Sequence, residues 1–317
     1  MTAHIPYAED LTIGVPLASA PDITIDAGLA AQYLAITGDQ LPLALSDRLS
    51  ADVTGSSARL ANPGLVIALS IGQSTVATRR VIANLLYRNL TLSRQVHLGE
   101  TIRTVVTPLE ASWTRTGTDR AKVLLQMAVT ADGEPLTTYE RLALLPVAEP
   151  RRLVATDPAP NGSEPELATF AATIPSGWSS PAGVVIGEAD SGEDPLSDTV
   201  SSARELVRLT QNLAAAHRDA SAGQGGRRLV YGGHTVALAQ ASLSRTLPGI
   251  LTVLAWRSCD HLAPVFEDDL LTFGTTVNGV HATGGFQLVD VTVVASREAE
   301  PVLRWRPVIL CSGTEGA

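Results

Sequence analysis

The sequence has few cysteines and no long apolar run. Cys259 and Cys311 are the only cysteines among 317 residues, which is too few for a disulfide framework and typical of reduced, buried thiols. No apolar run reaches the ~18 residues that a membrane span needs. The first ten residues lack the basic region and the apolar segment of a signal peptide. We therefore expect a soluble, cytoplasmic protein that has no membrane partner.

Basic residues are also scarce. Lys122 is the only lysine, and 23 Lys and Arg residues against 32 Asp and Glu residues give a net charge of −9. An acidic chain of this kind does not predict a nucleic-acid surface. Its hydrophobic fraction of 45% and charged fraction of 17% are typical of a globular protein with a sizeable core. A length of 317 residues favours about two domains.

The most informative feature is a motif that occurs twice, in segments 33–44 and 206–217. In each copy an apolar helical run ends in Thr, and a small or polar residue then precedes a side-chain carbonyl, that of Asp39 or Asn212. Five residues later the second copy has His217, where the first has Ala44. A carboxylate or amide and an imidazole at this spacing, in a loop after a helix, can converge on one water molecule. The pattern indicates a duplicated domain in which at most one half performs chemistry.

The rest of each half repeats as well. A buried helix is predicted at 62–72, opened by Asn62 as its cap and Pro63 in its first turn, and another at 232–243. Four segments rich in Val, Leu, Thr and Ile follow each helix and predict strands. They are 83–89, 101–110, 122–130 and 137–147 in the first half, and 251–259, 271–277, 286–295 and 302–311 in the second. This helix-then-strands order predicts an α+β fold with an N-terminal domain at 1–150, a linker at 151–178 containing the Pro/Gly/Ser-rich segment 157–165, and a C-terminal domain at 179–317.

These segments resemble the MaoC-like branch of the hot-dog superfamily, which includes (R)-specific enoyl-CoA hydratases and acyl dehydratases. Segment 38–43 is similar to the start of that family's Gly-Asp motif, and segment 211–217 is similar to its end. Segments 60–65 and 230–235 resemble the Ile-Ala-His-Gly-Met-Leu type of segment that opens the central helix. The resemblance covers nearly the whole chain. It implies a double hot dog, with two curved antiparallel sheets each wrapped around a central helix, packed as a monomeric pseudo-dimer or assembled as a homodimer.

The resemblance also implies roles for site residues. In the family an Asp and a His hold the water that adds to an enoyl double bond, and a backbone N–H of the central helix polarises the thioester carbonyl. By that likeness His217 is the general base or acid, Asn212 positions the water, and Gly233 donates to the enolate oxygen. An amide cannot take a proton at neutral pH, so His217 would be the sole titrating group.

The first half departs further from the family pattern. Asp39 lacks its imidazole, and the preferred alignment puts Pro63, which has no N–H, at the oxyanion glycine. A shift of one residue would restore Gly64 there. The first half is therefore interpreted as a pseudo-site, with a composite pair of Asp39 and His217 kept as an alternative.

Other residues are candidates for supporting roles. Asp219 is a candidate to orient His217, and His234 lies at the mouth of the second central helix. Arg227 and Arg228 are candidates to bind CoA phosphates, with a solvated surface pair as the competing interpretation. The remaining histidines have no metal-ligand spacing. We therefore expect neither a metal nor a redox cofactor, with CoA as part of the substrate.

The function that the resemblance implies is that of a lyase of fatty acid metabolism, which interconverts a 2-enoyl thioester and a 3-hydroxyacyl thioester, with an acyl-CoA as its partner. Two alternatives stay open at this point. The first is a catalytically impaired thioester-binding subunit that requires a partner. The second is a hot-dog acyl-CoA thioesterase, with its base or nucleophile near the thioester carbonyl.

Overall fold

A computed structural model of the chain describes residues 5–115, 117–156 and 164–313. Most of the predicted linker segment 157–165 lies outside these residues. The α-helices are α1 (Ala27–Thr37), α2 (Pro42–Leu45), α3 (Asp47–Thr54), α4 (Pro63–Gln73), α5 (Ala203–Leu209) and α6 (Gly232–Thr246). Short 3-10 helices lie at Ala8–Asp10, Ser74–Val76, Pro150–Arg152, Leu167–Thr173, Glu188–Asp190, Ala215–His217 and Ala220–Ala222.

The strands make up most of the fold. They are β1 (Ile23–Thr24), β2 (Ala83–Thr91), β3 (Thr101–Thr114), β4 (Gly117–Ala131), β5 (Glu134–Pro146), β6 (Gly192–Glu193), β7 (Asp198–Thr199), β8 (Ile250–His261), β9 (Leu270–Thr283), β10 (Phe286–Arg297) and β11 (Glu300–Ser312). All eight predicted strands are confirmed. Most strands run longer than predicted. In β9, for example, the pairing with β10 continues after the apolar alternation of the side chains has ended. Within the described residues no helix is long and apolar enough to cross a membrane.

The two halves have the same strand order. The first runs β3-β4-β5-β2 and the second runs β9-β10-β11-β8, with every neighbouring pair antiparallel. The α+β double hot-dog prediction is therefore confirmed. The two predicted sheets are not separate, however, because β2 pairs with β8 from Leu86↔Asp260 to Thr91↔Ala255. That pairing joins them into one continuous sheet.

The two central helices are buried inside this sheet. Every residue of α4 is buried, and its start is the predicted one, with the Asn62 side chain capping the Gly64 N–H at 2.8 Å and Pro63 at the first position. In α6 the buried stretch runs from Gly233 to Leu243. Helices that are apolar on all sides are stable only when covered on all sides. The curved sheet provides that cover.

The second motif loop packs on the C-terminal end of α4. A Cβ atom on Gly72 would lie 1.8 Å from the Thr210 carbonyl oxygen, so only glycine permits this approach. The Leu213 N–H also donates to Thr75 Oγ1 at 2.8 Å. The loop that carries His217 is thus held by the first half of the chain.

Part of the predicted linker forms regular structure. The 3-10 helix Leu167–Thr173 buries Phe170 in a second core cluster.

Candidate active site

The two motif loops have the same backbone conformation. Gly38 and Gln211, which precede Asp39 and Asn212, both adopt a left-handed conformation, with φ of 63° and 57°. The next side chain then accepts from the backbone two residues on, as Asp39 Oδ1 does from Leu41 N at 3.1 Å and Asn212 Oδ1 from Ala214 N at 2.9 Å. Such a turn is typical of Asp and Asn. The repeat seen in the sequence is therefore a repeat in structure.

Asp39 is buried and enclosed by donors. Its Oδ2 accepts from Asn62 Nδ2 and from Gln240 Nε2, both at 2.6 Å, and its Oδ1 accepts from Ser244 Oγ at 2.6 Å. Gln240 and Ser244 belong to α6, so the carboxylate ties the two halves together. With its oxygens occupied in this way, Asp39 makes no contact with His217, and the structure gives no support to the composite pair.

Asn212 is fully buried, at 0% exposure, and is far less engaged. Its Nδ2 has no hydrogen-bond partner within the described residues. Its backbone carbonyl accepts from Arg218 Nη1 at 2.8 Å. Asn212 is not among the residues that line the cavity described below. Its contacts hold the loop that leads to His217.

His217 ends the 3-10 helix Ala215–His217 and is buried. Its Nδ1 lies 2.9 Å from the Leu229 carbonyl oxygen. Because a carbonyl only accepts, Nδ1 carries the proton and Nε2 presents its lone pair. Burial lowers the pKa of His217 from 6.5 to about 4, and the Arg141 charge adds to this effect. At neutral pH the imidazole is therefore an uncharged base.

His217 faces a cavity of about 560 Å³. Its walls come from both halves of the chain, and Arg80 at one side of it is exposed whereas Arg141 is buried, so the cavity reaches from the surface into the interior. The polar or ring-bearing side chains that line it are Arg80, Asn84, Tyr87, Arg141, His217, Gln224, Tyr231, Thr235 and His261. A cavity of this size and mixed character suits a small-molecule ligand.

The N-terminus of α6 lies at this cavity. Its N-cap is Tyr231, which makes no capping hydrogen bond through its side chain. The His234 N–H donates to the Tyr231 carbonyl oxygen at 2.8 Å, whereas the N–H groups of Gly232 and Gly233 have no side-chain cap. Gly232 lines the large cavity, whereas Gly233 lines a small internal void of about 10 Å³. Counting from the caps Asn62 and Tyr231, Gly64 corresponds to Gly233 and Pro63 to Gly232. The preferred sequence alignment, which paired Pro63 with the oxyanion glycine, was wrong by one residue.

Two of the candidate supporting residues lie away from the cavity. Asp219 is exposed and accepts from Ser221 N at 2.9 Å, because the chain turns outward there. The Leu229 carbonyl, and not Asp219, orients the imidazole of His217. His234 is fully buried on α6, and neither of its ring nitrogens has a partner within the described residues. Burial lowers the pKa of His234 to about 4.

The two candidate arginines lie on the surface near acidic side chains. Arg227 stacks on the Phe266 ring, with 4.0 Å from Cζ to the centroid, and lies 3.9 Å from Asp269. Arg228 lies 3.6 Å from Glu267. Neither lines the cavity. Asp269 and Glu267 thus partly offset the charges of Arg227 and Arg228.

Two residues of the cavity wall, Arg141 and His261, lie outside the sequence motifs that predicted the site. Both lie on strands, β5 and β8, far along the chain from the motif loop. The signal for Arg141 is its register, because the buried residues of β5 alternate through Tyr139, Arg141 and Ala143. His261 packs against Gly232, where an added Cβ would meet its ring at 2.6 Å. Within the described residues no cluster of His, Cys, Asp and Glu side chains is arranged to hold a metal ion.

Comparison with known proteins shows the family. No protein-family model matches the chain. A conserved hypothetical protein of Mycobacterium tuberculosis, described as having a double hot-dog fold, is 36% identical, with a TM-score of 0.75 over 96% of this chain and 98% of that one. A structure described as a MaoC-domain dehydratase of Chloroflexus aurantiacus superposes with a TM-score of 0.84 at 19% identity, over 99% of both chains.

Two curated relatives are enzymes. The chain is similar to a mesaconyl-CoA hydratase of Cereibacter sphaeroides, at 27% identity over 83% of this chain and 80% of the relative. It is also similar to a beta-methylmalyl-CoA dehydratase of Chloroflexus aurantiacus, at 24% identity over 84% of this chain and 80% of the relative. The double hot-dog relative at 36% identity and the shared strand order show that the chain belongs to the double-hot-dog family.

Proposed function

We propose that this protein is a hydratase/dehydratase that interconverts a 2-enoyl-CoA and a 3-hydroxyacyl-CoA. The observation that carries the proposal is the neutral imidazole of His217, which is fixed by Leu229 at 2.9 Å and faces a cavity of about 560 Å³. A relative named as a CoA hydratase and another named as a CoA dehydratase support the same reaction class.

His217 is the group that moves the proton. In hydration, Nε2 takes a proton from water as the water oxygen bonds to C3 of the enoyl group, and the electron pair of the double bond moves toward the thioester. The imidazolium then returns the proton to C2, so that one water has been added and the base is regenerated. Dehydration follows the same steps in reverse. A base must reach its water within hydrogen-bond distance, which the exposure of His217 to the cavity permits.

The start of α6 is proposed to stabilise the enolate oxygen. Its first-turn N–H groups are not capped by the Tyr231 side chain, and the positive end of the helix dipole favours negative charge there. Gly233 is the residue expected from the family motif, and its neighbour Gly232 lines the cavity. In the first half the equivalent N–H, that of Gly64, is already occupied by Asn62 Oδ1 at 2.8 Å.

Asn212 is proposed to act through the loop. It is absent from the cavity wall, and its Oδ1 holds the Ala214 N–H one residue before the 3-10 turn that carries His217. We therefore assign it to positioning His217 and not to binding the water. The exposed Arg80, at the outer part of the cavity, is placed to meet the phosphates of CoA.

The test is loss of enoyl absorbance when the purified chain is mixed with crotonyl-CoA. We expect turnover by the wild type, loss of it in His217→Ala, and no change in His281→Ala, which alters a histidine on β9 away from the cavity. Release of free thiol without loss of the double bond would show a thioesterase instead. Binding of crotonyl-CoA without any reaction would show a thioester-binding subunit.

A further inference from the structure

Arg141 is a buried cation that forms no ion pair with any carboxylate of the described residues. It lies on β5 between the buried residues Tyr139 and Ala143, and only 3% of its surface is exposed. Taking a guanidinium out of water costs several kcal/mol unless a counter-charge offsets it. Two partly buried arginines elsewhere in the described residues have that counter-charge. Arg257 lies 2.7 Å from Asp290, and Arg245 lies 2.7 Å from Asp194.

The contacts of Arg141 fix its orientation but leave its charge uncompensated. Nε donates to Asn84 Oδ1 at 2.6 Å, and Nη1 donates to the hydroxyl oxygens of Ser74 at 3.0 Å and Thr78 at 3.2 Å. All three acceptors are neutral. Within the described residues Nη2 has no hydrogen-bond partner, and no carboxylate lies within ion-pair distance of the guanidinium. The side chain is therefore held rigidly with one donor edge open.

That open edge belongs to the same cavity as His217. Arg141 lines it, and no Asp or Glu side chain is found among the described residues of its wall. His261, the other histidine there, is neutral at physiological pH, because burial, together with a smaller contribution from the Arg141 charge, lowers its pKa to about 4. The deep part of the cavity therefore carries one uncompensated positive charge, close enough to both histidines to influence their titration.

The geometry points to an acyl group that carries its own carboxylate. We infer that the thioesters processed here are short acyl-CoAs with a carboxylate on the acyl chain, and that this carboxylate binds the open Nη2 edge of Arg141. The inference rests on the proposed function, in which the cavity takes an acyl thioester. A carboxylate balances one guanidinium charge and accepts a charge-assisted hydrogen bond. The phosphates of CoA are a poorer match, because they belong to the outer end of the ligand, where Arg80 is exposed.

The test compares two saturated four-carbon thioesters, succinyl-CoA and butyryl-CoA, by calorimetric titration. They differ in the terminal carboxylate, and neither has a double bond to hydrate. We expect succinyl-CoA to bind at least about tenfold more tightly to the wild type, because a charge-assisted hydrogen bond contributes on the order of one tenfold step or more. In Arg141→Gln this preference should disappear through weaker succinyl-CoA binding, while butyryl-CoA binding is unchanged. Arg141→Lys, which keeps the charge without the planar fork, should retain part of the preference.

Two further variants separate the possible failures. Arg80→Gln should weaken both thioesters equally, because both carry the same CoA phosphates. His217→Ala should abolish hydration of crotonyl-CoA and keep the succinyl-CoA preference, so a loss of chemistry is distinguishable from a loss of carboxylate binding.

Equal binding of the two thioesters by the wild type overturns the inference even if crotonyl-CoA is hydrated. Absence of any thioester binding overturns both the inference and the proposed function. If Arg141→Gln does not fold, the wild-type comparison and Arg141→Lys still decide.

Discussion

Asp39 and Asn212 occupy the same position in the two motif loops, and the helices facing them differ. Asp39 receives hydrogen bonds from Asn62 and Gln240. Counted from the two N-caps, Tyr231 stands where Asn62 does, and Ile71 stands where Gln240 does. Two of the three donors that surround the first carboxylate, Asn62 and Gln240, thus have no counterparts around Asn212.

The space beside the two motif loops differs as well. Leu43 of the first loop is buried in an apolar core cluster that also contains Phe170. In the second half the space beside His217 is about 560 Å³. The two loops thus share a backbone turn. The first carboxylate ties the two halves together, and the second loop carries the proposed base.

The largest expected effect comes from changing the last residue of each motif, which is His217 in the second half and Ala44 in the first. His217→Ala should lower kcat/KM for crotonyl-CoA hydration by about 10²- to 10⁴-fold, the range for loss of a general base. Ala44→His should give the first half no activity, because the Asp39 oxygens are already occupied by Asn62, Gln240 and Ser244. Steady-state kinetics on His217→Ala and on the double variant with Ala44→His checks this. Activity restored in the double variant would contradict the division between the halves.

The second effect concerns stability. Asp39→Ala should cost about 3–5 kcal/mol of unfolding free energy, because the buried donors of Asn62, Gln240 and Ser244 lose their acceptor. Asn212→Ala should cost only about 1 kcal/mol, because one backbone N–H, that of Ala214, loses its partner. Urea denaturation followed by circular dichroism measures both. Equal costs would show that Asp39 is not the stronger tie.

The third effect is on pH dependence. Burial lowers the pKa of His217 from 6.5 to about 4, so the neutral base persists as pH falls until the pH approaches the folded-state value. At pH 5 the neutral fraction of a histidine with an ordinary pKa of about 6.5 would be only about one thirtieth, whereas most of His217 should still be neutral. The acid limb of kcat/KM should therefore lie near pH 4. An acid limb near pH 6.5, in protein shown to be folded, would rule out a buried neutral base.

The smallest effect distinguishes two tyrosines that face the central helices. Tyr231→Phe should cost about 1 kcal/mol, because the hydroxyl donates to the Ala68 carbonyl oxygen at 3.1 Å. Tyr33→Phe should be neutral or stabilising, because the buried Tyr33 hydroxyl has no partner within the described residues. Thermal unfolding of the two variants gives the comparison. A larger loss in Tyr33→Phe would reverse it.

Much of the fold could be predicted because its determinants are local. Runs of β-branched and apolar residues predicted all eight long strands, and the Asn62 cap and Pro63 predicted the start of α4. The joining of the two sheets through β2 and β8 could not be predicted in this way, because it depends on packing between segments far apart in the chain. The domain boundaries at 150 and 178 stay predictions.

The site was predictable where it follows the motif and not where it depends on strand register. His217 and the α6 N-terminus follow from the repeat. Arg141 comes from the other half, and only the register of β5 turns it inward. Asp219 is near His217 in sequence and yet faces solvent.

The pairing of β2 with β8 has a consequence for the history of the chain. Arg141, Asn84 and Tyr87 of the first half help to form the cavity that His217 faces in the second. Changes in the first half are therefore constrained, because both β2 and its neighbour β5 contribute side chains to this pocket. Cutting the chain between the halves would leave two unpaired strand edges, which invite aggregation, and a pocket with one wall missing. The first half is thus an obligatory wall of the pocket in which the proposed reaction takes place.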